Sequence, residues 1–199
     1  MMSIWATANL FGLLVAAAVG LTEPELAAAL RGDTPTRMES FTTETGKASG
    51  RGVGAIVIDR PMAEVWSVVS HFPDKAEYMP RLEKVEVLEA TKERLRAKMT
   101  VDAAVSTARY TAIFSISQAQ HTIDFQLDKS ASDNTIKDTV GGYALFEVST
   151  EKTLLVYRTW VDTGRAIPRF VADYMSRKSI PNLLHAIKKR VESRGLYRK

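Results

Sequence analysis

The segment 93–101 constrains this chain more than any other, because Leu95, Ala97, Met99 and Val101 alternate without interruption with Arg94, Arg96, Lys98 and Thr100. Successive side chains of a β-strand point to opposite faces of the sheet, so an apolar/polar period of two specifies a strand with one dry face and one wet face. Half-solvated strands of this kind belong to antiparallel sheets; parallel sheets are covered on both faces and read as continuous apolar runs. The signature recurs in Tyr110, Ala112, Phe114 and Ile116. It returns in His121, Ile123, Phe125 and Leu127, where Thr122, Asp124 and Gln126 take the opposite face. Shorter β patterns at 53–58, 85–87, 143–148 and 153–161 complete a meander.

Helices flank the strands. Pro61 opens a helix on which Met62, Val65, Trp66 and Val69 share one face, and a second short helix over 74–78 lies between Phe72-Pro73 and Pro80. The tail returns to helix from about 168, with Phe170, Val171, Tyr174, Ile180, Leu183, Leu184, Ile187 and Val191 as its apolar stripe. Pro181 should kink that helix or split it, since it offers no N–H and crowds the preceding turn. A run of strands followed by a long helix is an α+β arrangement, and 199 residues is the length of one ordinary domain.

The N-terminal portion reads differently. Residues 4–21 are apolar and uncharged and end in Ala16, Ala17, Ala18, Val19 and Gly20, the composition of a secretory signal core. Residues 1–21 are therefore read as a leader that exports the chain, most simply to the periplasm, or tethers it to a membrane if uncleaved. Thr22 then caps a short helix through Leu30 that Gly32 ends, and 33–52 reads as a connecting segment. Residues 22–45 thus join the leader to a domain over 46–195, and 196–199 form a basic tail.

Charge and chemistry narrow the function. The net charge of +4 is unevenly spread: from Pro168 onward nine Lys or Arg face only Asp173 and Glu192, so the preceding residues carry minus three. A basic helix of this kind suits contact with an anionic membrane surface, whereas nucleic-acid binding would need recognition motifs that the chain lacks. There is no cysteine, which removes disulfides and thiol chemistry. The histidines His71, His121 and His185 stand far apart without a nucleophile at a recognisable spacing, and no metal-ligand or cofactor motif is present. Gly50, Gly52 and Gly54 enter a strand rather than open a helix, so they are no phosphate loop. Gly141-Gly142 reads as a bulge or bend of a curved sheet.

Taken together, Val57-Ile58-Asp59-Arg60-Pro61, Glu64-Val65-Trp66, Phe72-Pro73, Tyr78-Met79-Pro80, Gly142-Tyr143, Thr153 with Tyr157 and the long final helix resemble the START-like (birch-pollen-allergen-like) superfamily. The resemblance is nearest its polyketide cyclase/dehydrase and coenzyme Q-binding branch. It implies a helix-grip fold, with a curved antiparallel sheet of six or seven strands wrapped around the C-terminal helix and two short helices after the first strand. It also implies a cavity between sheet and helix, for which the inward candidates are Met99, Val101, Phe114, His121, Phe125, Tyr143, Leu155, Tyr157, Phe170, Tyr174 and Leu184. The expected function is binding or transport of an apolar small molecule such as a lipid, sterol, quinone or polyketide-like compound, without catalysis. The alternatives are an aromatase/cyclase using His121, Tyr143, Tyr157 and Arg158, and a ribosome-associated protein were the chain cytoplasmic.

Overall fold

A computed structural model describes residues 20–42, 48–103, 106–163 and 175–199. Helix α1 (Glu23–Leu30) begins at a capping box in which the Glu25 N–H donates to the Thr22 hydroxyl at 3.4 Å and the Thr22 N–H donates to the Glu25 carboxylate at 2.7 Å. Gly32, at φ 99°, turns the chain away, a backbone angle that a side chain would disfavour.

The described residues then form one eight-stranded antiparallel sheet: β1 (Thr36–Thr42), β2 (Ala48–Ile58), β3 (Leu82–Ala90), β4 (Arg94–Asp102), β5 (Thr107–Ser117), β6 (Thr122–Leu127), β7 (Asp138–Ser149) and β8 (Lys152–Asp162). Their spatial order is β1-β2-β8-β7-β6-β5-β4-β3. Helices α2 (Met62–Val69) and α3 (Lys75–Tyr78) lie between β2 and β3, and a π-helical turn (Met175–Ser179) leads into α4 (Ile180–Glu192). Pro181 sits in the first turn of α4, where a missing N–H costs least, and the change from π to α geometry falls just before it. The earlier part of the expected helix, 168–174, lies outside the described residues.

Eight strands exceed the six or seven expected. The additional one is β1, inside the segment read as a connector; it pairs with β2 from Thr36 opposite Gly54 to Thr42 opposite Ala48. An edge strand is held chiefly by backbone pairing, so its side chains need no alternation, and Met38 remains exposed.

The sheet buries both faces of its β2–β8–β7 region. On the concave face, Ile56, Ile58, Leu155, Tyr143, Leu145, Ile123, Phe114, Ala97 and Met99 form the main core with α2, α3 and α4. On the convex face, Leu21, Leu26 and Ala29 cover Val53, Ala55, Val57, Leu154 and Val156 as a second, smaller core. Helix α4 approaches β2 closely because Gly52 and Gly54 lack side chains. A Cβ on Gly54 would lie 2.5 Å from Ile180 Cγ2 and 3.0 Å from Leu184 Cδ1.

Gly141-Gly142 does not mark a bulge. Both glycines stay in register with Thr159 and Arg158 on one side and with Phe125 and Asp124 on the other, and the β7–β8 irregularity falls at Glu147/Ser149. What these glycines provide is room: a Cβ on Gly141 would sit 2.4 Å from the Phe125 ring, and one on Gly142 would sit 2.7 Å from Asp124 Oδ1.

Candidate ligand-binding site

Strand register brings the inward residues of five strands into one aromatic lining. Tyr157 pairs with Tyr143, Tyr143 with Ile123, Phe125 with Phe114, and Met99 with Tyr110. The Tyr143 and Tyr157 rings are 4.8 Å apart, Phe114 and Phe125 are 5.8 Å apart, and Phe114 meets Phe72 edge-on at 4.5 Å. Of the eleven cavity candidates, Met99, Val101, Phe114, Phe125, Tyr143, Leu155, Tyr157 and Leu184 share this one cluster. Leu155 and Leu184 are wholly enclosed as core, whereas Val101, Phe125 and Tyr157, joined by Tyr110, keep part of their surface accessible. Phe170 and Tyr174 lie outside the described residues.

The tyrosines are desolvated. Burial raises Tyr110, Tyr143 and Tyr157 above the usual phenol value, and Tyr157, Tyr78 and Tyr110 are close enough to Tyr143 to push it further. Tyr157 also shares a hydrogen bond with the Thr159 side chain. Because the phenols stay protonated near neutral pH, this part of the concave face presents hydrogen-bond donors on an apolar ground.

Lys75 projects into the same interior from α3. It is 2% exposed, its Nζ donates to the Val69 carbonyl at 2.6 Å, and it lies 4.7 Å from the Phe72 ring centre and 5.1 Å from that of Tyr143. Burial lowers its pKa to about 7. Helix α3 is fixed from outside by Arg190 of α4, whose guanidinium reaches Glu77 at 3.1 Å, Asp74 at 3.4 Å and the Tyr197 carbonyl at 3.0 Å, and lies over the Tyr78 ring. Sequence reasoning missed Lys75, since Asp74-Lys75-Ala76-Glu77 reads as the polar part of a short helix. Tyr78 and Tyr110 appeared only as landmarks of a helix and a strand.

Two of the polar groups considered for catalysis are elsewhere. Arg158 follows Tyr157 and so takes the convex face, where with Arg51, Thr122 and Asp124 it borders a hollow of about 380 Å³ whose charged walls suit no apolar guest. His121 occupies the β5–β6 turn with a left-handed backbone (φ 50°) and packs edge-on against Trp66 at 5.3 Å, at the α2 end of the core. His71 faces Asp74 at 3.5 Å, and His185 meets the Thr34 hydroxyl at 3.3 Å; both are surface contacts. Among the described residues no three His, Asp or Glu side chains converge as metal ligands, and no helix is long and apolar enough to cross a membrane. Part of the C-terminal basic charge is engaged within the chain. Lys188 bonds the Val57 carbonyl and Asp59, and Lys199 bonds the Met79 carbonyl.

A curved antiparallel sheet gripping a C-terminal helix around an aromatic interior is the START-like, birch-pollen-allergen-like architecture of hydrophobic-ligand-binding domains. Within it, this chain belongs to the polyketide cyclase / dehydrase and lipid transport family, whose sequence profile matches residues 58–187. Similar solved structures include the ZhuI aromatase/cyclase from Streptomyces sp. R1128, at 19% identity and TM-score 0.62 over 80% of this chain and 96% of that one. The STAR-related lipid transfer protein of Xanthomonas axonopodis is similar at 15% identity and TM-score 0.65, over 79% and 93%. Human STARD10 is similar at 10% identity and TM-score 0.63, over 79% and 69%. A search of curated proteins finds no significant match.

Proposed function

We propose that this protein binds and carries an apolar small molecule, of the lipid, sterol, quinone or polyketide-like class, in the space between its sheet and α4, and that it does so in the cell envelope. The observation that carries this reading is the lining itself: Tyr110, Phe125 and Tyr157 are deep on the concave face yet keep accessible surface. An apolar guest gains roughly 25 cal/mol for each Å² it removes from water there, and a few fixed donors orient it. A cyclase reading would need an acid/base group beside the guest. Of the four groups considered for that role, only Tyr143 and Tyr157 are together, and burial keeps both protonated, able to donate a proton but unfit as bases.

Envelope residence rests on the apolar run 4–21, and recovery of the protein with ribosomes instead would replace that part of the proposal. The binding itself is tested by native mass spectrometry of protein purified without detergent or organic extraction. The expected spectrum shows an added mass of a small molecule that is lost on denaturation. A folded protein that retains nothing and takes up none of a panel of lipids, sterols and quinones would overturn the proposal.

A further inference from the structure

A lysine is rarely sealed inside a protein without a carboxylate, because an ammonium loses far more hydration than one hydrogen bond returns. Lys75 is such a case. It is 2% exposed, and among the described residues it makes no ion pair; its one hydrogen bond, to the Val69 carbonyl at 2.6 Å, leaves two of three N–H donors free. The faces of Phe72 and Tyr143 partly compensate the charge, and they also hold the amine at the aromatic lining, 5.1 Å from the Tyr143 ring centre. The Tyr143 hydroxyl, and those of Tyr157, Tyr110 and Tyr78 close to Tyr143, are all kept protonated by burial. Asp74 and Glu77, the nearest acids in sequence, turn outward to Arg190. The interior therefore offers donors and a cation and, among the described residues, no acid to match them.

We infer that Lys75 is the receptor for an anionic oxygen, a carboxylate or a phenolate, carried by an otherwise apolar ligand. The inference rests on the binding function proposed above and sharpens it: the ligand supplies the counter-ion that the fold omits, and its apolar body lies along the tyrosines. A charge-assisted hydrogen bond in a site that excludes water discriminates strongly against a guest that lacks the charge.

Two matched pairs of fluorescent probes test this and separate the two oxygen types: cis-parinaric acid against its methyl ester, and 1-hydroxypyrene, titrated through its ionisation, against 1-methoxypyrene. For at least one pair the ionised member is expected to bind at least tenfold more tightly to the wild-type chain, and K75M is expected to bring that ratio within twofold. A wild-type ratio within twofold for both pairs overturns the inference and leaves apolar binding intact, as does a preference that persists in K75M. If no probe of either pair binds, the binding function itself fails and this inference falls with it. Circular dichroism establishes that K75M is folded; should it not be, the wild-type ratios alone decide.

Discussion

At the residue scale, Lys75 carries an energetic signature that can be read without any ligand. Its pKa is lowered to about 7 in the folded chain, against roughly 10.4 for an unfolded lysine. Between those values the unfolded chain binds the extra proton, so stability rises with pH across the window; below about pH 7 the full penalty of the buried ammonium is present. Replacing the amine by an isosteric thioether removes that penalty. K75M should therefore be more stable than wild type by roughly 4 kcal/mol at pH 6, with the gain shrinking as pH nears 10. Urea unfolding at pH 6 and pH 9.5 measures both, and an equal gain at the two values would show that the ammonium is not its source. Such a residue is invisible in sequence, because nothing in Asp74-Lys75-Ala76-Glu77 records that α3 will be pressed against Tyr143. The aromatic wall was legible by two routes: Phe114 and Phe125 occupy inward positions of strands patterned with a period of two, and Tyr143 and Tyr157 entered through the family resemblance.

At the element scale, two contacts set where α4 lies. Gly54 admits Ile180 and Leu184, and a methyl group there would strike the Ile180 Cγ2 methyl, which is fixed to Cβ and moves only with χ1; at Gly52 the clash is with Cδ1, the mobile tip of the same side chain. G54A should therefore cost about 1–3 kcal/mol. G52A should stay near neutral, since the modest crowding is offset by about 0.4–1 kcal/mol of lost unfolded-state freedom. Chemical denaturation of the pair checks the order, and equal effects would place α4 elsewhere. On the other side, Arg190 is 7% exposed and bonds Asp74, Glu77 and the Tyr197 carbonyl at once, a forked geometry that a lysine cannot reproduce. R190K should lower stability by about 1–2 kcal/mol and loosen α3, seen as faster amide exchange at Ala76 and Glu77 than in wild type. The sequence presents Arg190 as one member of a basic run, and only the docking of α3 distinguishes it from its exposed neighbour Lys189. β1 was likewise hidden, because Thr36–Thr42 takes its conformation from hydrogen bonds to β2 and not from any pattern of its own.

At the scale of the whole molecule, the apolar run read as a leader meets the fold at Leu21. The sequence reading placed Leu21 last in the apolar run, but the residue is 6% exposed, packed with Leu26 and Ala29 on the convex face, and the neighbouring Gly20 carbonyl accepts a hydrogen bond from Arg37. Arg37 in turn pairs with Glu25 at 3.0 Å, so α1, β1 and the 20–21 segment form one connected patch over β2 and β8. A signal peptidase that cut beyond Leu21 would strip apolar cover from Val53, Ala55 and Val156; one that cut after Ala18 would leave the patch whole. Under the proposed export, the mature chain is therefore expected to begin at Val19 or Gly20, which intact-mass measurement of the fractionated protein reads directly. Retention of residues 1–18 would make the run an anchor that holds the domain at the membrane from which an apolar ligand would be drawn. A mature terminus beyond Thr22 would remove Leu21 from the second core and the Thr22 cap from α1, leaving Leu26 and Ala29 to cover β2 and β8.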